Sequence, residues 1–145
     1  MNITRIHICA LAASSLAHTF SFAGPVQDNH GLTDLIDRLG TGNEPTGAGV
    51  EVAQVEATNS NGYAPETTNS EFSGKSFTLM SGSSGVSNHA TNVGKRMYGT
   101  GNSGIAPGTD TMYIYSASGW AQNNFLNVGT GSNPLSPPGD VSLFN

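Results

Sequence analysis

Apolar positions along the chain follow two periods that alternate. In residues 31–40, Leu32, Leu35, Ile36 and Leu39 recur at helical spacing, which predicts a short amphipathic helix stopped by Gly40. Residues 41–48 read as a Gly/Pro/Asn linker. Residues 49–57 then predict a strand, with Val50, Val52 and Val55 supplying β-branched bulk. A polar loop over 59–74 holds the turn pair Asn61-Gly62, and Phe77, Leu79 and Met80 mark a second strand over 76–80. After a Gly/Ser connector at 81–85 the period changes. Val86, Ala90, Val93 and Met97 predict a helix that Ser87 or Asn88 could cap, with Lys95 and Arg96 near its C-terminal end, where the macrodipole favours cations. Residues 111–115 predict a third strand, 117–128 a further helix, 130–139 a proline-containing loop and 140–144 a last strand. Strands alternating with helices predict βαβ units, hence an α/β fold with a mostly parallel sheet.

The first 23 residues have a different character. Arg5 and the amino terminus make a small positive region, and an apolar stretch runs from Ile8 to Phe20, interrupted by Ser14, Ser15 and His18. Ser21-Phe22-Ala23 places small residues where a signal peptidase requires them, so 1–23 reads as a secretory signal peptide and the product as secreted or periplasmic. The alternative is an apolar N-terminal helix. The continuous apolar run falls well short of the ~20 residues that span a bilayer, so no membrane span is expected. Cys9 is the chain's one cysteine, and Ile8 before it fits poorly with a lipid-modified site. Cleavage after Ala23 would leave a chain without thiols, excluding disulfides, thiolate catalysis and cysteine metal sites. The expected organisation is a signal peptide at 1–23, a segment with a short helix and linker at 24–48, and an α/β domain at 49–145.

Composition narrows the function classes. Charged residues are 10% of the 145 and the formal net charge is -5, whereas a typical domain is about 25% charged. Lys95-Arg96 is the sole basic pair, so a nucleic-acid partner is not expected. Gly99-Thr100-Gly101-Asn102-Ser103-Gly104 matches the dinucleotide fingerprint in letters. A helix precedes it, Ala106-Pro107-Gly108 follows, and no acidic residue lies about 20 positions on, so it reads as a turn.

Downstream of residue 23 the histidines are His30 and His89. His30 sits in a polar segment, where a solvated side chain is the default. His89 falls in the first turn of a predicted helix after a Gly-rich loop. Glu56 closes a predicted strand, at the end where ligands and catalytic groups gather in open α/β sheets. A carboxylate there can hold an imidazole in one tautomer; taken alone, each residue is more readily a solvated surface group.

Three segments, taken in order, resemble the subtilisin-like serine peptidases. Gly49-Val50-Glu51-Val52-Ala53-Gln54-Val55-Glu56-Ala57 is similar to the family's Gly-Val-x-Val-Ala-Val-Ile-Asp-Thr, which ends in the catalytic aspartate. Asn88-His89-Ala90-Thr91-Asn92-Val93-Gly94 is similar to His-Gly-Thr-His-Val-Ala-Gly, whose first histidine is the base. Gly104-Ile105-Ala106-Pro107-Gly108-Thr109 is similar to the Gly-Val-Ala-Pro-Gly-Ala turn. The likeness covers residues 45–145 and implies part of a three-layer subtilisin-like fold. It also implies Glu56 and His89 as catalytic acid and base, a peptide or protein substrate, and calcium as a possible ion for which no site is assignable.

The departures shape the expectation. Glu56 stands where the family has Asp, moving the carboxylate outward by about 1.5 Å, and displacements near 1 Å can cost about 10²-fold in rate. Ala90 and Asn92 replace a glycine and a second histidine. Asp140-Val141-Ser142-Leu143-Phe144-Asn145 resembles the strand leading to the substrate-binding segment, and no Gly-Thr-Ser-x-Ala segment occurs. The expectation is the N-terminal part of a secreted serine endopeptidase, read from a longer coding region and inactive without its serine and oxyanion donors. The alternatives are a secreted non-catalytic relative acting as a binding or surface module, and a structural protein unrelated to peptidases.

Overall fold

The computed structural model describes residues 25–101 and 104–145. The proposed signal peptide lies outside the described residues. In chain order the elements are α1 (Pro25–Asn29), α2 (Leu32–Leu39), β1 (Glu51–Glu56), a 3₁₀ turn (Ser70–Phe72), β2 (Ser76–Leu79), α3 (Asn88–Tyr98), β3 (Thr111–Ser116), the short α4 (Ala117–Gly119) running into a π turn (Trp120–Asn124), and β4 (Val141–Phe144). The four strands form one all-parallel sheet in the order β2-β3-β1-β4, so the chain folds as α/β.

Period-two alternation divides the sheet into two faces. Val52, Gln54 and Glu56 of β1 pair with Met112, Ile114 and Ser116 of β3, and Phe77 of β2 pairs with Met112. This face packs under α3, and Val52, Tyr63, Phe72, Tyr98, Met112 and Ile114 make its buried core. Each such apolar side chain contributes roughly 1.5–3 kcal/mol on full burial. Ala53 and Tyr115 belong to the opposite face and are also buried. Phe144, paired with Ala53, packs there at 5.1 Å from the Phe125 ring and 6.4 Å from Trp120. The two central strands, β1 and β3, are therefore covered on both sides, as buried parallel strands require.

The structure corrects three details of the sequence reading. The buried stripe of α3 is Ala90, Thr91, Gly94 and Tyr98, rotated from the expected Val86/Ala90/Val93/Met97 line. Val86 precedes the helix and is 47% exposed. The rotation follows from Tyr98, whose ring fills the core while its hydroxyl finds a buried partner. Gly94 supplies the room, since a Cβ there would lie 2.5 Å from the Tyr98 hydroxyl and 3.0 Å from Phe72. Second, the helix expected over 117–128 is one turn of α4 and a π turn that ends at Asn124, after which Phe125 turns inward to stack on Trp120. Third, the expected 24–48 segment holds two helices, with His30 in the turn between them and with no residue of α2 fully buried.

Candidate acid–histidine site

Two connections, one after β1 and one before α3, bring the site together at the carboxyl edge of the sheet. The tip of the β1–β2 loop is a tight reversal in which Asn59 and Gly62 exchange backbone hydrogen bonds of 3.1 Å each. This tip docks on the segment before α3: Ser87 N–H donates to the Ala64 carbonyl at 2.7 Å, and Asn59 Nδ2 donates to Ser87 Oγ at 3.2 Å. Ser87 is the N-cap, as the sequence allowed; its extended backbone ends the loop and its Oγ accepts from Ala90 N–H at 3.3 Å. A cap of this kind contributes about 1 kcal/mol. Thr91 adds a second tie, donating to the Ser87 carbonyl and accepting from Glu66 N–H, both at 2.9 Å. The first turn of α3 is thus fixed to the loop that leaves β1, and His89 lies in it.

Glu56 closes β1 with its side chain 3% exposed, and its Oε2 stands 3.4 Å from His89 Nε2. The two residues chosen from the sequence are brought together, at an ion-pair distance somewhat longer than a hydrogen bond. Their environments are unlike, because the imidazole is 73% exposed while the carboxylate is buried. In the Ser-His-Asp arrangement the acid holds Nδ1–H and leaves Nε2 as the base. Here Nε2 faces the acid, so Nδ1 is the nitrogen left to take a proton. Presenting Nε2 to a nucleophile requires a change of His89 rotamer, which its exposure permits.

Sequence reasoning missed the groups beneath this pair. Gln54, fully buried, donates from Nε2 to Glu56 Oε1 at 2.7 Å and to the Ala90 carbonyl at 3.0 Å. Its Oε1 accepts from the Tyr98 hydroxyl. A polar chain therefore runs from the aromatic core through Tyr98, Gln54 and Glu56 to His89 at the surface. The available signal was the run Val50, Val52, Gln54, Glu56, one face of a strand that turns from apolar to polar toward its carboxyl end.

Burial, and then the charge of Glu56, pushes the Tyr98 hydroxyl far above the ordinary tyrosine range. Tyr63, Tyr113 and Tyr115 are also raised, in each case chiefly by desolvation. The folded chain thus keeps protons that an unfolded chain releases near pH 10, and stability falls as pH rises past that point. Lys75, lowered chiefly by desolvation, works in the opposite sense. With four groups against one, the melting temperature should drop between about pH 9 and about pH 11. Tyr98→Phe should flatten that drop in a pH series of thermal melts; an unchanged slope would refute the assignment.

The Gly99–Gly104 motif lies partly outside the described residues. Its visible part supports the turn reading, for Gly101 N–H donates to the Glu71 carboxylate at 2.7 Å, where a phosphate would meet a like charge. Among the described residues, no group of three or more His, Cys, Asp or Glu side chains could hold a metal ion. Among the same residues, no helix is long and apolar enough to cross a membrane. No family model matches the chain, and no curated protein or solved structure matches it either.

Proposed function

We propose that Glu56 and His89 are the acid and base of a subtilisin-like serine peptidase site, in a chain destined for the periplasm or the exterior. The observation that carries this reading is the buried Glu56 carboxylate 3.4 Å from an exposed imidazole at the sheet's carboxyl edge. The all-parallel sheet and the Ser87-capped helix that opens the His89 segment support it. In the full reaction the imidazole takes the proton of a serine attacking a peptide carbonyl. It then returns that proton to the leaving amine, while Glu56 balances the transient positive charge. The 145 residues contain no Gly-Thr-Ser-x-Ala segment, so on this reading they supply the acid–base half of the site and no peptide hydrolysis of their own.

The half-site has a reactivity that the chain can show by itself. An imidazole beside a buried carboxylate attacks an activated ester such as p-nitrophenyl acetate. Nitrophenolate leaves, and water hydrolyses the acyl-imidazole to acetate and free imidazole. His89→Ala should lower the ester-hydrolysis rate by about tenfold and Glu56→Gln by several-fold, with His30→Ala close to the parent. A His89→Ala rate equal to the parent's would sink the reading. It would favour the second one, a secreted non-catalytic module, to which the Nε2-inward ring and the longer Glu56 side chain also point.

A further inference from the structure

We infer that Gln54 is the positioning residue of the acid–histidine pair, and that the Ala90 carbonyl and Tyr98 anchor the Gln54 amide that serves it. The inference rests on the acid–base reading of Glu56 and His89 and identifies what sets their geometry. Glu56 has one more rotatable bond than the aspartate of the family pattern, and a buried carboxylate with that freedom needs a fixed donor to define where its second oxygen points. Gln54 is that donor. It sits two residues earlier on the same face of β1, and its Nε2 reaches Glu56 Oε1 at 2.7 Å, leaving Oε2 to face His89.

The amide has one workable orientation. Its NH₂ group meets two acceptors, the Glu56 carboxylate and the Ala90 carbonyl, and its oxygen meets the Tyr98 hydroxyl. A flipped amide would set its oxygen against both acceptors and leave the buried carboxylate without that donor, which is costly because a buried charge that loses a hydrogen bond has no water to replace it. Both anchors of Gln54, Ala90 and Tyr98, belong to α3, which also carries His89. The strand bearing the acid and the helix bearing the base are therefore tied through one side chain. The family pattern has an apolar residue at this position, so the Gln54 and Glu56 departures fit one another.

The test reads the protonation pattern of the His89 ring by ¹⁵N NMR of the full 145-residue chain, in a pH series carried into the alkaline range until the ring resonances stop moving. In the parent, Nε2 should carry the proton, giving widely separated ring nitrogen resonances. Gln54→Met, close in shape but without donors, should collapse that separation toward that of a free imidazole, and Tyr98→Phe should reduce it partway. A folded Gln54→Met chain with the parent's separation overturns the inference, because a merely structural glutamine would cost stability and leave the tautomer alone. Should Gln54→Met not fold, Tyr98→Phe decides: a reduced separation supports the role and an unchanged one overturns it. A held but unreactive His89 would sink the peptidase reading and leave this positioning standing. A reactive His89 indifferent to Gln54 would do the reverse.

Discussion

Replacing Tyr98 with alanine should destabilise the chain by about 3–5 kcal/mol, the range for deleting a large buried aromatic ring, a large share of the about 5–15 kcal/mol that domains of this size have to lose. Three losses coincide at this residue. Its ring, 1% exposed, packs against Phe72 at 5.4 Å and Phe77 at 6.0 Å, so the cavity opens between β2, the 3₁₀ turn and α3. The Lys75 ammonium, 5.9 Å from the ring centroid, loses its aromatic face. The Gln54 oxygen loses its hydroxyl donor in a buried setting, about 1–3 kcal/mol within that total. Tyr98→Phe keeps the ring and should lose only the last of these. Urea denaturation of the two variants separates packing from hydrogen bonding. A loss under about 1.5 kcal/mol for Tyr98→Ala would mean that the aromatic cluster does not hold α3 on the sheet.

How much of this was legible in the sequence differs by element. The strands were, because β-branched and aromatic residues cluster where backbone pairing buries them: β1, β2 and β4 lie within the spans expected for them, and β3 runs one residue further, to Ser116. The start of α3 was legible too, since a serine before a helical run has a defined hydrogen-bonding task. Its buried face was not. Hydropathy marks Val93 and Met97 as core, yet geometry buries Tyr98, whose hydroxyl donates to Gln54, distant in sequence. Likewise the 117–128 stretch, though Ser116 caps its start, shows no periodicity that would reveal a π turn, and Trp120 stacks on Phe125 at 5.6 Å where the helix ends. Of the candidate site, the outer pair Glu56 and His89 could be chosen by pattern. The inner pair Gln54 and Tyr98 could not, for a polar residue within an apolar strand has no partner in one-dimensional text.

Gly62→Ala is the second large effect expected, and it acts on the site from a distance. Gly62 has φ +133, a region that a side chain rarely tolerates, and a Cβ at this position would run into the backbone of Gly85. Neither partner can yield cheaply. Gly62 is tied to Asn59 by hydrogen bonds in both directions, and the Gly85 carbonyl accepts from Ala64 N–H at 3.4 Å. Backbone strain of about 1–3 kcal/mol and overpacking of about 1–3 kcal/mol should together cost about 2–6 kcal/mol. Gly131→Ala is the control, with a similarly positive φ of +67 and nothing within 4 Å of the added carbon; it should lose only about 1–2 kcal/mol. The displaced segment leads directly into Ser87 and the first turn of α3, so any folded Gly62→Ala protein should hold His89 away from Glu56 and hydrolyse the activated ester at the rate of Glu56→Gln. Parent-like stability together with a parent-like ester rate would show that the loop tip does not set the start of the helix.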